Sequence, residues 1–366
     1  LTSVSIPAFA ADKTDVSAMT EFSENTDVSS ADVFKISSAD ALKALANAVK
    51  DDSGNGSYTM SGKTFYLAND IDLNGAEFTP IANVQYVADG FAGTFDGNYY
   101  KITGLNISSG VSGIGLFGTV NGATIKNIEV VGNVSGSSAY VGGIIGKTQT
   151  NAMVQNCSFS GSVTGTKRDS SKNGVGGIVG RVNAGTLKVE NCANYADVTG
   201  AGSCIGGILG YSTNQFTISN SYNSGSISGK WYPSGISAFG TNSNSKIENC
   251  YNIGEIKNTN SGTYNAGIAA NFKGAATNCY RTQPETESYA SNKNGTSTLI
   301  TTPDALLTNL GNAFVEDTDN INNGYPILSW QKSDAPVQPK NPSISISGGR
   351  TLKMTNSGAQ PTTTLT

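Results

Sequence analysis

The sequence predicts an all-β fold: a right-handed parallel β-helix, or solenoid, with a helical N-terminal cap. Three observations carry that prediction. First, one asparagine returns on a fixed beat. Asn127, Asn156, Asn191, Asn220, Asn249 and Asn278 are separated by 29, 35, 29, 29 and 29 residues. A period that strict means one structural unit stacked repeatedly. Second, a glycine step recurs between these asparagines. It reads Gly115-Leu116-Phe117-Gly118, Gly143-Ile144-Ile145-Gly146, Gly177-Ile178-Val179-Gly180 and Gly207-Ile208-Leu209-Gly210. It decays to Gly235-Ile236-Ser237-Ala238 and Gly267-Ile268-Ala269-Ala270. Third, each unit consists of short β-branched runs bounded by Gly, Asn and Ser, the pattern of short strands between turns.

Other repeat folds fit poorly. Glycine at this density would cost a helix about 1 kcal/mol per site relative to alanine. A propeller blade needs a period of roughly 40 residues or more. A coil of three short strands and three bends fits the observed period, and stacked coils lie about 4.8 Å apart. Roughly seven coils are expected on this reading. The right hand follows the general rule for parallel crossovers.

Within the unit, Val154 and Cys157, Val189 and Cys192, Ile218 and Ser221, and Ile247 and Cys250 are each three apart. Strict alternation would need an even number, so the chain turns a corner between them, and the asparagine sits there. Asparagine suits a corner because it tolerates the left-handed region and can bond its own backbone. Stacked asparagines can also bond to those above and below. The glycine steps read as tight bends. Gly174-Val175-Gly176 contains a G-x-G, but no helix or acidic residue follows as a nucleotide loop would require.

Cys157, Cys192, Cys250 and Cys279 share one slot with Ile128 and Ser221. That slot wants a small buried side chain, which a free thiol supplies. Side chains pointing the same way in a parallel stack are poorly oriented for disulfides. There is no histidine and no C-x-x-C, so no zinc site and no cofactor is expected.

The ends divide as follows. Residues 1–11 read as the remnant of a signal peptide, with Ala8-Phe9-Ala10 in small-x-small form. Residues 12–35 read as an acidic linker. Ser37-Ser38-Ala39-Asp40 opens an amphipathic helix over 37–50, the N-terminal cap expected of an open-ended stack. The first strands are expected at 64–67 and 70–73, and the coils should end near Arg281. Pro303 opens a second short helix reaching Leu310. Residues 323–330 should fold back on the stack. Residues 332–343, rich in Pro and Lys, read as a linker, and 344–366 as the start of a further β domain.

The repeated glycine step, with Asn-Cys-x-Asn rungs between, resembles the GLUG repeat. So does the lead-in Phe91-Ala92-Gly93-Thr94-Phe95-Asp96-Gly97-Asn98, and so does the ending Gly324-Tyr325-Pro326-Ile327-Leu328-Ser329-Trp330. The resemblance spans residues 36–331. The tail, with Thr351-Leu352-Lys353-Met354, is similar to the first strands of a bacterial Ig-like domain. What the resemblance implies is a secreted or cell-surface protein, from a Gram-positive bacterium, of the kind that includes adhesins and the non-catalytic part of immunoglobulin A proteases. It carries no catalytic motif over, since the zinc motif of those proteases needs histidine.

The chemistry on offer points the same way. Zero histidine removes the Ser-His-Asp and Cys-His arrangements. Parallel β-helices can degrade polysaccharides, which needs clustered carboxylates. Glu190 and Glu248 share a column two coils apart, roughly 9–10 Å, but they flank an ordinary corner. Asp70, Asp72 and Asp96 could hold a cation, although turn roles fit better. A net charge of −4 gives no whole-chain case for nucleic acid, and no apolar run is long enough to span a membrane. Lys126, Lys147, Arg181, Lys188, Lys246 and Lys273 read as scattered, solvated charges. The expected function is a non-catalytic adhesion or scaffold module whose partner is a protein or glycan of a host or neighbouring cell. The alternative is a polysaccharide lyase or glycoside hydrolase. Tyr222, Tyr251 and Tyr280 form a row two residues past the asparagines. With Trp231 they are the candidate strip for sugar rings, or else an aromatic ladder that strengthens the stack.

Overall fold

The computed structural model describes residues 13–49, 59–83, 90–168, 173–259, 265–283 and 295–332. The expected signal-peptide remnant and Ig-like start, and all but Lys332 of the second linker, lie outside the described residues.

The chain is a parallel β-solenoid of about 8 turns. Its register shows what the repeat does. Ile125, Val154, Val189, Ile218, Ile247 and Ala276 stack in one column. Past the corner, Val134, Val163, Val198, Ile227 and Ile256 form another. The glycine step builds a third: Phe117, Ile145, Val179, Leu209, Ser237 and Ala269. Nearly all of these side chains point inward and are buried in one continuous apolar core. Burying them at about 25 cal/mol per Å² is the main favourable term.

The corner asparagines behave as the spacing predicts. Asn127, Asn156, Asn191, Asn220, Asn249 and Asn278 all take φ between 47° and 55°, the left-handed region where asparagine is enriched. Their side chains form a ladder. Asn156 donates to Asn127 (2.8 Å), Asn191 to Asn156 (3.1 Å), Asn249 to Asn220 (2.7 Å) and Asn278 to Asn249 (2.6 Å). Asp96 takes the ladder's first place, accepting from Asn127 at 3.0 Å. The ladder is interrupted at Asn191, whose buried Oδ1 has no hydrogen-bond partner.

A second asparagine ladder runs inside the molecule. Asn194 donates to Asn223 and Asn223 to Asn252, both at 2.7 Å, and all three are fully buried. Each amide also donates to a carbonyl two residues on, at Ala196, Gly225 and Gly254. The glycine step lies against this ladder. A Cβ on Gly177 would sit 2.3 Å from Asn194 Oδ1 and 2.2 Å from the Gly207 carbonyl. One on Gly207 would meet Asn223, and one on Gly235 would meet Asn252. None of these glycines has positive φ. They are there to make room, not to turn the chain as the sequence reading supposed. The opening glycine of the step, which faces Phe159 at Gly143 and the inner asparagines at Gly177, Gly207 and Gly235, persists where the closing one becomes Ala238 or Ala270.

Cys157, Cys192, Cys250, Cys279 and Cys204 are all buried and form no disulfide. Each ladder thiol donates to carbonyls of its own rung and the one before, as Cys157 does to Gln155 O (3.2 Å) and Ile125 O (3.6 Å). Burial pushes the Cys157 and Cys250 thiols well above their ordinary pKa, so they stay protonated.

Both ends differ from expectation. Residues 13–35 are not a bare linker. Thr20–Glu21 and Val33–Ile36 pair in parallel and extend the sheet, and Phe22, Phe34 and Ile36 enter the core. The alternation Val33-Phe34-Lys35-Ile36 is a strand pattern, but no corner asparagine marks it. Helix α1 (Ala39–Ala48) forms as predicted. Ser38 caps it by accepting from Ala41 N at 3.1 Å, and Leu42 and Leu45 are buried. It follows two strands rather than preceding the first. At the other end Gly295–Leu299 adds a strand beyond Arg281, and helix α2 (Pro303–Leu310) comes after it.

Candidate functional site

The tyrosine row exists, but it is not a surface. Ser158, Ala193, Tyr222, Tyr251 and Tyr280 are in register, and the Tyr222 and Tyr251 rings stack at 4.8 Å and 5°. Tyr222 and Tyr251 are fully buried and Tyr280 is 7% exposed. The cover is residues 300–332, which pack Leu306, Leu310, Phe314 and Leu328 on the rings. The covering strap is also tied by polar bonds. Tyr251 OH donates to Pro326 O and accepts from Asn322 at 2.7 Å. Tyr222 OH donates to Gln331 at 2.8 Å, and Gln331 donates to Tyr195 at 2.9 Å. Trp330 Nε1 reaches Asn191 O at 2.9 Å. Asp317 holds the strap's own turn, accepting from the backbone of Ile321, Asn322 and Gly324. Burial pushes the hydroxyls of Tyr222 and Tyr251 well up, and that of Tyr195 to about 12. These rings anchor the strap, and in this arrangement no ligand reaches them. The apolar row needed a cover, and the strap covers it from Tyr280 back to Ala193. Trp231 is different. It is half-buried at the end of the strand Ile227–Trp231, with the Lys230 ammonium 5.8 Å from its ring.

The carboxylates are committed elsewhere. Glu190 pairs with Lys188 (2.9 Å) and Glu248 with Lys246 (3.6 Å). Asp96 pairs with Lys126 at 3.2 Å and accepts from Asn98 N at 2.8 Å. Asp70 accepts from Lys101 N and Asp72 from Asn74 N, the turn roles expected of them. No group of three or more Cys, Asp or Glu is placed to hold a metal among the described residues.

One cluster escaped the sequence reading. Lys147 and Arg181 are not scattered. They occupy one column with Thr119 before them and Tyr211 and Phe239 after. Lys147 is 6% exposed. The Arg181 guanidinium lies 4.5 Å from the Tyr140 ring and 5.0 Å from the Tyr211 ring, and Nη1 donates to Tyr140 OH. Tyr211 and Phe239 stack at 4.7 Å, with Tyr232 edge-on to Phe239. The signal was in the repeat: Lys147, Arg181 and Tyr211 each stand one residue past the closing glycine, and Phe239 one past Ala238 in the same place.

The chain is a parallel β-solenoid that carries the GLUG motif in two of its segments. The model of the GLUG motif matches residues 137–164 and 201–228. The zinc metalloprotease ZmpC of Streptococcus pneumoniae is 36% identical over 70 residues, 19% of this chain and 4% of that protein. Halomucin of Haloquadratum walsbyi is 37% identical over 120 residues, 31% of this chain and 1% of that protein. The immunoglobulin A1 protease of Streptococcus pneumoniae is 27% identical over 199 residues, 45% of this chain and 10% of that one. The chain thus spans a small fraction of the curated relatives it matches. A crystal structure of a candidate immunoglobulin A1 protease from Bacteroides ovatus superposes with a TM-score of 0.62 at 20% identity, covering 86% of this chain and 96% of that one. At that identity the likeness is one of fold.

Proposed function

We propose that this chain is a non-catalytic module of a secreted or cell-surface protein, binding a protein or glycan on a host or neighbouring cell. The observation that carries the reading is how the charged groups are used. Asp96, Glu190 and Glu248, which share one column, are each tied to a lysine, so among the described residues that column leaves no free acid and base facing one another. What the coils do offer is straight rows of side chains along the stacked strands, which suits recognition. The matches to small parts of two streptococcal proteases and a halomucin fit a repeat used as an accessory segment. The test is incubation with a panel of glycans and glycoproteins, with and without calcium, measuring both retention and product release. Retention without products is expected. Product release that disappears in Glu190→Gln or Glu248→Gln would establish the polysaccharide-degrading alternative instead.

A further inference from the structure

We infer that Lys147 and Arg181 form an anion-binding subsite for an acidic sugar, one bearing a carboxylate or sulfate, with Tyr140, Tyr232 and Phe239 as the ring-stacking surface beside it. This rests on the binding-module reading and names its ligand class and its place on the stack.

Geometry is the first support. Lys147 and Arg181 are strand partners in adjacent coils, so their backbones are about 4.8 Å apart. Two cations so close repel, and repulsion is usually relieved by a carboxylate. Lys63, Lys101, Lys126, Lys188 and Lys246 each have one. Lys147 has neither an ion pair nor a hydrogen bond among the described residues, although it is more than nine-tenths buried. Its stem is held against the left-handed Gly113, where a Cβ would come 2.8 Å from Lys147 Cδ. Burial first, and the Arg181 charge second, lower the Lys147 pKa. Arg181 Nε is buried and lacks an acceptor as well. A buried ammonium beside a half-buried guanidinium, with no carboxylate paired to either among the described residues, is costly to keep. An oxyanion removes the cost by accepting from both groups, and a guanidinium matches carboxylate and sulfate geometry.

The rings decide between an acidic sugar and an acidic peptide. Tyr140, against Arg181, and Tyr232 and Phe239, one coil beyond the buried Tyr211, are only half-buried. Phe239 is braced by the buried Tyr211 behind it. Flat aromatic faces near a cation pair fit a pyranose ring whose acidic substituent reaches the two cations.

The test uses the purified chain and three immobilised probes at physiological salt: heparin oligosaccharide (sulfate and carboxylate), hyaluronan oligosaccharide (carboxylate only) and maltohexaose (neutral). Binding to heparin, hyaluronan or both, and not to maltohexaose, is expected, and which one binds identifies the anion. Lys147→Gln and Arg181→Gln should each weaken binding at least tenfold while leaving the far-ultraviolet circular dichroism unchanged. Lys147→Gln should also leave the ligand-free melting temperature equal or raised, because it removes an uncompensated charge. A lysine kept only for packing would lower it. Phe239→Ala should weaken binding without altering its salt dependence. No binding to either acidic glycan, or binding that survives both charge substitutions, overturns the subsite. So does equal competition by a polyglutamate peptide. Retention of other ligands that these substitutions leave intact also overturns the subsite, while sparing the wider binding-module reading.

Discussion

At the residue scale the repeat encodes two asparagine ladders and the space they need. The corner ladder was legible because its spacing and its left-handed requirement both point to asparagine. The inner ladder of Asn194, Asn223 and Asn252 was not, because a polar residue inside a core is rare and periodicity cannot say which way it faces. The opening glycine is its counterpart. We expect Gly207→Ala to destabilise the chain by about 3 kcal/mol, the upper part of the usual overpacking range. A methyl there meets the Gly235 carbonyl at 2.1 Å and Asn223 Oδ1 at 2.6 Å, and Asn223 cannot move without breaking its ladder bonds to Asn194 and Asn252. Urea unfolding would show it, and a loss below about 0.5 kcal/mol would mean the stack yields easily. The cysteine column makes a second prediction at this scale. A thiol reagent should label none of the five cysteines in the native protein and all five once unfolded, since all five are buried and burial holds the Cys157 and Cys250 thiols protonated. Rapid native labelling of Cys157 or Cys250 would contradict that burial.

At the element scale the strap is what the sequence half disclosed. Helix α2 and the fold-back of 323–330 were legible from a proline start and an apolar run. Their landing place was not, because the Tyr222, Tyr251 and Tyr280 row carries the same pattern whether it faces solvent or another segment. What decides is tertiary: Leu306, Leu310, Phe314 and Leu328 need a partner surface, and the row provides it. The contact has a pH signature. Tyr195, Tyr222 and Tyr251 have folded pKa values above the unfolded value near 10. A group raised in the folded state contributes stability that is complete below its unfolded pKa and lost as pH climbs through the folded one. The window is therefore from about pH 10 upward, reaching about 12 for Tyr195. A shift of that size corresponds to about 3 kcal/mol. We expect the strap to detach in this range while the coils persist. The readouts are a steep rise in tyrosinate absorbance and a change in Trp330 fluorescence, with the circular dichroism of the strands held. Simultaneous loss of strand signal at the same pH would show that strap and coils unfold as one unit.

At the scale of the whole molecule, the solenoid is a sum of coils joined to their neighbours, and its two largest apolar clusters among the described residues are separate. The core inside the coils and the cluster beneath the strap share no residue. The strap can therefore be removed without opening the core. Deleting residues 301–332 should leave the β-sheet signal nearly intact but expose a stacked row of tyrosines beside the last strands of the stack. An uncovered apolar row and a parallel edge together are a template for pairing with another copy. We expect the truncated chain to self-associate, seen as concentration-dependent sedimentation, where the intact chain does not by this route. Replacing Tyr251 by lysine in the truncated chain should restore the monomer, because a charge at the middle of the row breaks the patch. In the intact chain the same Tyr251→Lys change should be severely destabilising, because it places an unpaired ammonium under Phe314 and Pro326. That reversal of sign is what a cover predicts. A truncated chain that stays monomeric, or that loses its strand signal, would show instead that the strap is dispensable or that it is part of the core.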